Sequence, residues 1–491
     1  MRRLALCSCF NPPAVESSMS TPRRTDFKLL RSTLLLVASY CVSFTAATAR
    51  AEPPVKHVVL ISVDGLPGSF LTDPAVPLET IRGLAKSGAI AEGMTVSNPS
   101  VTWPNHTTLV TGSRPSEHGV LFNGVLKRAG IGQPVSVDPR QDKSALVRIP
   151  TLVDALHAEG KLVAGINWPC TRNSASFAID FPDSPDAMQF STPSFIDELI
   201  QAKLVTPDIR ESFGKLSPLM RDQIWTNAAC HALRQHRPSL TLLHLLNLDA
   251  VHHRYGPQTW AGYSASVVAD MRIQEVLNTL DETGMRDSTA VFVVSDHGFC
   301  AIPKTLNPNV ILKKEGWLTV EGSRLAAARA QVIPEGGTAM LYLTNPETLK
   351  EDRQKLKELF ESMEGIERVV TPDQFAEFGY PLPDEYSQMA DLVLAAKNGY
   401  GFNASFAGEE WVTKSDSTLG THGFLSTNPL MNATFVASGA GIRNGAQLGV
   451  IENIQVAPTI AQLLGVTLKD VQGAPLVEIL KSNAMTQAPT R

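Results

Sequence analysis

The chain has 491 residues, a formal net charge of −5 and 43% hydrophobic residues. That balance excludes a basic surface built for nucleic acid or for anionic membranes. The length suits roughly two to four domains, or one large α/β domain with insertions, and a core of that size needs no disulfide staples.

At the N-terminus, Arg23, Arg24, Lys28 and Arg31 precede an apolar run over 34–49, and Ala49-Arg50-Ala51 offers small residues for cleavage. The pattern predicts a signal peptide over 1–51 and export to the periplasm or the extracellular space. The mature chain then begins near Glu52 and has no stable membrane insertion. The alternative is an anchor, but the run is short and interrupted by Ser, Tyr and Thr. Cleavage leaves Cys170, Cys230 and Cys300, so at most one disulfide can form within the chain.

Residues 57–62, His-Val-Val-Leu-Ile-Ser, form a β-branched apolar run and predict a strand buried on both faces. It runs into Asp64-Gly65, and an Asp at the carboxyl end of a buried strand stands where open α/β sheets bind ligands. A turn Asp before Gly is the plainer reading. An amphipathic helix is expected over 78–87 and a strand over 89–97. Next come a helix over 151–159 and a strand over 162–166. Residues 171–235 read as helices and loops on the surface.

The run 240–248 predicts another strand, followed at once by Asp249 and, four residues on, His253. One helical turn apart, both can point at one ion. A long helix over 264–283 leads to a strand over 290–295 that ends in Asp296-His297-Gly298. Residues 301–415 read as an inserted α+β lobe, with strands at 338–343, 368–370 and 391–396, a helix over 346–363, and a loop at 400–402. The core resumes with a strand over 433–437 and a helix over 455–464. The core is thus 52–300 and 416–491, and the tail after Lys481 reads as disordered.

Between the strand at 89–97 and an apolar-periodic segment at 107–111 lies Val101-Thr102-Trp103-Pro104-Asn105-His106. This reads as a strand-to-helix turn with Pro104 at the first helical position, where a missing N–H does no harm. Thr102 then stands just before a helix N-terminus, where free N–H groups and the helix dipole favour an anion. Taken alone, Thr102 reads first as a helix cap, and the metal-type residues elsewhere in the chain reverse that reading.

Three carboxylates, Asp64, Asp249 and Asp296, end or follow buried strands, with His253, His297 and His422 close behind or in a loop on the same edge. Unpaired carboxylates are not placed on a core edge without a counter-charge. Mixed Asp/His ligation suits zinc, with Mn, Fe or Co as alternatives.

The ordered motifs Asp64-Gly65, Thr102-Trp103-Pro104-Asn105-His106, Thr111-Gly112, His118-Gly119, Asp249-x-x-x-His253-x-x-Gly256-Pro257, Asp296-His297-Gly298 and His422-Gly423 span most of the chain. Together they resemble the nucleotide pyrophosphatase/phosphodiesterase family of the alkaline phosphatase superfamily. The resemblance implies an alkaline-phosphatase-like α/β sandwich, with a mostly parallel central sheet between helices. It implies two zinc ions. Asp249, His253 and His422 would hold the first; Asp64, Asp296, His297 and Thr102 would hold the second. It also implies hydrolysis of a phosphate-ester or pyrophosphate small molecule, through attack by Thr102 and a phospho-threonine intermediate. The two ions would clamp the attacking and leaving oxygens. Asn123 and the backbone N–H near Trp103 would stabilise equatorial charge.

Two departures stand out. Trp103 replaces the family's usual Phe and still offers an aromatic wall to a substrate. His244 stands where the family places an aromatic that stacks on a base. His106, His118 and His252 read as structural. The rival activities on the same residues are phosphomonoester and phosphonate hydrolysis. An inactive metal-bound binding protein is the distant alternative, and it predicts a lost ligand where none is lost.

Overall fold

The computed structural model describes residues 55–482. The expected signal peptide and nearly all of the tail lie outside the described residues. Eight strands form the central sheet: β1 His57–Val63, β2 Ala89–Thr95, β3 Val163–Pro169, β4 Ile179–Asp183, β5 Leu240–Leu245, β6 Thr289–Val294, β7 Phe435–Gly439 and β8 Ala446–Glu452. Their order across the sheet is β8-β2-β7-β6-β1-β5-β3-β4. Only β7 runs antiparallel to its neighbours. β1 lies between β5 and β6, parallel to both, with Val58 opposite Leu240 and Ala290.

Alternation along β1 sends side chains to two separate cores. Val58 and Leu60 pack with Leu109, Leu156 and Ile460, from the helices Thr102–Thr111, Leu152–Ala158 and Val456–Leu464. Val59, Ile61 and Val63 pack with Ile81, Ala228 and Ile273, from Glu79–Ser87, Pro218–Gln235 and Trp260–Glu282. A sheet covered on both faces needs continuous apolar strands, and β1, β5 and β6 supply them. The architecture is the α/β sandwich expected from sequence.

Several boundaries and elements differ from expectation. The helix at the nucleophile turn begins at Thr102, not after it. Extended Val101 is its N-cap and makes no side-chain cap bond, so Thr102 is not a capping residue. Pro104 is therefore the third helical residue, still among those whose N–H lacks an intrahelical partner. β4 falls in a stretch read as helix and loop. Its sequence, Ile-Asp-Phe-Pro-Asp, carries residues depleted in strands, yet an edge position tolerates Pro182. β8, at the other edge, alternates polar and apolar residues too weakly to stand out in sequence. Residues Tyr400–Phe402 form a strand parallel to Lys304–Leu306, not a loop; their short run carries no periodicity of its own.

Within 301–415, four antiparallel strands form a second sheet in the order Ala330–Pro334, Thr338–Leu343, Leu392–Ala396, Ile366–Val370. The helix Leu349–Glu361 packs on it through Leu356 and Phe360. The hairpin turn between the first two strands reaches the His422 loop. Gly337 N–H donates to His422 O at 2.7 Å, and Gly336 sits at φ +90°. A Cβ on Gly336 would lie 2.3 Å from His422 O, and one on Gly337 would lie 2.2 Å from the Phe424 ring. Only glycines fit this contact.

Candidate active site

The parallel strands β1, β5 and β6 end on one edge of the sheet. Asp64 follows β1 directly, Asp296 follows β6 by two residues, and Asp249 lies in the helix Asn247–Tyr255 that β5 runs into. The fold thus delivers three carboxylates to one place. The histidines arrive with them. His253 Nε2 is 3.4 Å from Asp249 Oδ1, and His422 Nε2 is 3.7 Å from the same oxygen. His297 Nε2 lies 3.3 Å from Asp64 Oδ1 and 3.2 Å from Asp296 Oδ2. The His297 and His422 rings stack at 3.6 Å and join the two groups.

Each of these histidines is anchored on its far side. Nδ1 of His253, His297 and His422 faces the carbonyls of Gly420, Gly298 and Ser100 at 3.0, 3.1 and 3.0 Å. A carbonyl only accepts, so the ring proton is on Nδ1 and each Nε2 presents a lone pair. That is the orientation a metal-binding imidazole needs.

Two sets of ligand atoms lie within 4.8 Å of one another: Asp249, His253 and His422, and Asp64, Asp249 and His297. The second set includes Asp249 where the sequence pointed to Asp296. Asp296 Oδ1 accepts from Gly65 N–H at 3.1 Å, and its Oδ2 faces His297. Asp249 therefore stands within reach of both positions. Asp64 Oδ1, Asp249 Oδ1, Asp296 Oδ2 and His297 Nε2 are buried and have no hydrogen-bond partner among the described residues. Orphaned buried acceptors of this kind are rare. Burial raises the Asp64 carboxyl well above the usual range, and the neighbouring Asp296 adds to it. Burial also pushes the His297 and His422 imidazoles well below theirs. Divalent cations satisfy every one of these features: they pair the acceptors, stabilise the carboxylates and take the neutral nitrogens.

Residues 58–425 match the family described as type I phosphodiesterase / nucleotide pyrophosphatase. The chain belongs to that family. The bis(5'-adenosyl)-triphosphatase ENPP4 of Bos taurus is 22% identical over 442 residues, covering 88% of this chain and 83% of its own. An uncharacterised pyrophosphatase/phosphodiesterase of Schizosaccharomyces pombe is 23% identical, covering 83% and 76%. The solved structure of an inactive form of murine ectonucleotide pyrophosphatase/phosphodiesterase 5, in complex with AMP, aligns with a TM-score of 0.65 at 16% identity. It covers 87% of this chain and 100% of that one. As a member of the phosphodiesterase / nucleotide pyrophosphatase family, the chain is a metal-dependent phosphoric ester hydrolase, and phosphodiester or pyrophosphate substrates fit it. Among the described residues no helix is long and apolar enough to cross a membrane.

Against the family pattern, the residues around the metal groups take unexpected positions. Thr102 is 8% exposed at its helix start, and His106 Nδ1 donates to its carbonyl at 2.9 Å. Asn123 is exposed, and its Oδ1 accepts from Trp103 N–H at 2.9 Å. The Trp103 N–H is thus engaged with Asn123, whose amide nitrogen is left to meet an oxygen. The Trp103 ring is not an open wall either. It is 5% exposed and packs on Val120, Leu146 and Cys170. Its indole N–H needs an acceptor once buried, and donates to Asp183 Oδ2 at 3.0 Å.

His244 corrects a further expectation. It is fully buried in β5, so it has no face for a base. Its Nε2 lies 2.9 Å from Asp64 Oδ2. The sequence signal was present but misread: in a strand buried on both faces, every side chain is interior, including the polar Thr241 and His244. His106, His118 and His252 take the structural places expected of them. Burial holds each near a pKa of about 3, so each stays neutral. Asp183 and Asn167 had no signal in sequence.

Proposed function

We propose that this is an exported two-metal phosphodiesterase/pyrophosphatase that works through a covalent phospho-threonine intermediate. The observation that carries the reading is the convergence of Asp64, Asp249, Asp296, His253, His297 and His422, with orphaned acceptors and outward lone pairs, beside the helix start at Thr102. Asp249, His253 and His422 hold one ion, and Asp64, Asp296 and His297 the other, with Thr102 alongside. The ions supply Lewis acidity and positive charge at the attacked phosphorus; zinc suits the donor set.

Thr102, its hydroxyl proton lost to solvent, supplies the nucleophilic oxygen. As the new P–O bond forms, the P–O bond to the alcohol or phosphate leaving group breaks and that group departs with a proton from water, while the helix dipole behind Thr102 favours the phosphoryl group. The Asn123 amide nitrogen donates to a non-bridging oxygen, oriented by the bond its own oxygen makes to Trp103 N–H. Water then opens the phospho-threonine and restores the hydroxyl. The stretch 301–415 acts as an inserted lobe between the two halves of the core, and residues 1–51 direct export.

No Lys or Arg stands in the matched motifs to meet the extra charge of a monoester dianion. Diesters are therefore preferred over matching monoesters by at least about tenfold in kcat/KM, or ~1.4 kcal/mol. Base preference is weak, since His244 offers no stacking face. Aryl phosphate mono- and diesters with one leaving group, assayed side by side, test this. A monoester preference would assign the site to phosphomonoester hydrolysis. N-terminal sequencing of the secreted protein tests export, with Glu52 or a neighbour expected first.

A further inference from the structure

We infer that His244, held by Asn167, is a positioning residue that orients Asp64 toward the buried metal site. The inference rests on the reading of Asp64 as a metal ligand.

Asp64 has two oxygens and the structure treats them differently. Oδ2 faces His244 Nε2 at 2.9 Å, whereas Oδ1 has no hydrogen-bond partner and faces His297 Nε2. One oxygen is engaged by the His244 ring while the other is left for a cation. A carboxylate held by one edge presents a defined lone pair instead of rotating.

His244 is itself fixed. Its Nδ1 faces Asn167 O at 2.9 Å and Asn167 Nδ2 at 3.2 Å, and the same amide donates to His244 O at 3.2 Å. Asn167 reaches this position through an unusual backbone. It lies inside β3 at φ +57°, where the pairing register with β4 breaks between Ile166 and Pro169. Asn tolerates the left-handed region better than most residues, yet that conformation still costs energy in a strand. The strain turns both polar groups of Asn167 onto one imidazole. From the other side the His106 ring packs on His244 at 4.2 Å, and Trp168 meets His106 edge-on at 4.8 Å. His106 in turn donates to Thr102 O and stands 3.6 Å from Asp296 Oδ2. A strained residue, a fully buried histidine and a half-satisfied carboxylate thus form one continuous support under the site.

Zinc retention against a graded chelator tests the inference on the whole mature protein. His244→Leu keeps the volume and removes both polar contacts. It is expected to release one zinc at a chelator concentration lower by about tenfold, with the other zinc held as in the wild type. His244→Gln, which returns a polar group toward Asp64, is expected to recover part of that loss. Lower thermal stability with unchanged zinc retention in His244→Leu would reduce His244 to a packing role and overturn the inference. If His244→Leu does not fold, Asn167→Gly decides: glycine relieves the left-handed strain and removes only the amide. It is expected to weaken the same zinc by about threefold, and unchanged retention would overturn the inference. Asp64→Ala separates the underlying reading. Wild-type zinc retention in that variant would show that Asp64 holds no metal, whatever His244 does.

Discussion

The two ligand groups differ in how much water they see. Asp64, Asp296 and His297 are fully buried. In the other group, His253, Asp249 and His422 have side chains 34, 13 and 11% exposed. Solvent shares the charge of the rim group, whereas the proposed second ion would neutralise the buried group. In the proposed two-metal reading, the buried group would couple metal binding to stability, and the rim group would couple it to exchange with the medium. Thr102, at the helix start tied to Asp296 through His106, belongs with the buried group.

The largest expected effect separates chemistry from ligation. Thr102→Ala should lower kcat by at least about a thousandfold, ~4 kcal/mol, while elemental analysis still finds both ions. Thr102→Ser should retain part of the rate. An Ala variant at wild-type rate would make water the nucleophile and detach Thr102 from the buried group.

Next in size, His297→Ala should cost about 3 kcal/mol of stability in urea, because the carboxylates around it lose a compensating ion. His253→Ala should lower zinc content by one ion with little change in the urea midpoint. Equal destabilisation by the two variants would erase the contrast between the groups.

A third effect belongs to the histidines that hold no ion. His118 is buried; Val120 N–H donates to its Nδ1, and its Nε2 faces the Thr108 hydroxyl. Burial lowers its pKa to about 3 from an ordinary value of 6.5. The folded state binds fewer protons than the unfolded one in that window, so stability is present above pH 6.5 and is lost as pH falls toward 3. At pH 5 the loss is about 2 kcal/mol for this one group. Urea midpoints at pH 7 and pH 5 measure it, and His118→Asn should flatten the difference by that amount.

The smallest effect concerns the residue after the nucleophile. Trp103→Phe should cost about 1 kcal/mol of stability, because Asp183 loses its indole donor, and it should leave diester preference unchanged. A changed substrate preference would return Trp103 to the role of pocket wall.

The carboxylates of the proposed metal centre were legible because Asp64, Asp249 and Asp296 follow buried strands, and a long apolar run is the clearest pattern a sequence carries; His422, in a loop, was reached as a ligand only through the family resemblance. The helix start at Thr102 was legible to within two residues, through Pro104. What failed was the environment of single side chains. His244 and Trp103 were read by their place in a motif, but their surroundings come from β3, β4 and the loop near Val120, distant in sequence. The edge strands β4 and β8 failed for a related reason. An edge strand needs one partner and one covered face, so its composition is free to look like loop.

The Gly336-Gly337 turn clamped on His422 has a consequence for assembly. Every other proposed metal ligand lies before the hairpin in the chain, and His422 comes after it. During synthesis the seat for the last ligand emerges before the ligand does. His422 then needs no search through solvent-exposed conformations; the amide of Gly337 and the flat faces of two glycines define where its carbonyl must lie. The second sheet thus works as a jig that fixes where the His422 loop lies against the rest of the proposed metal centre.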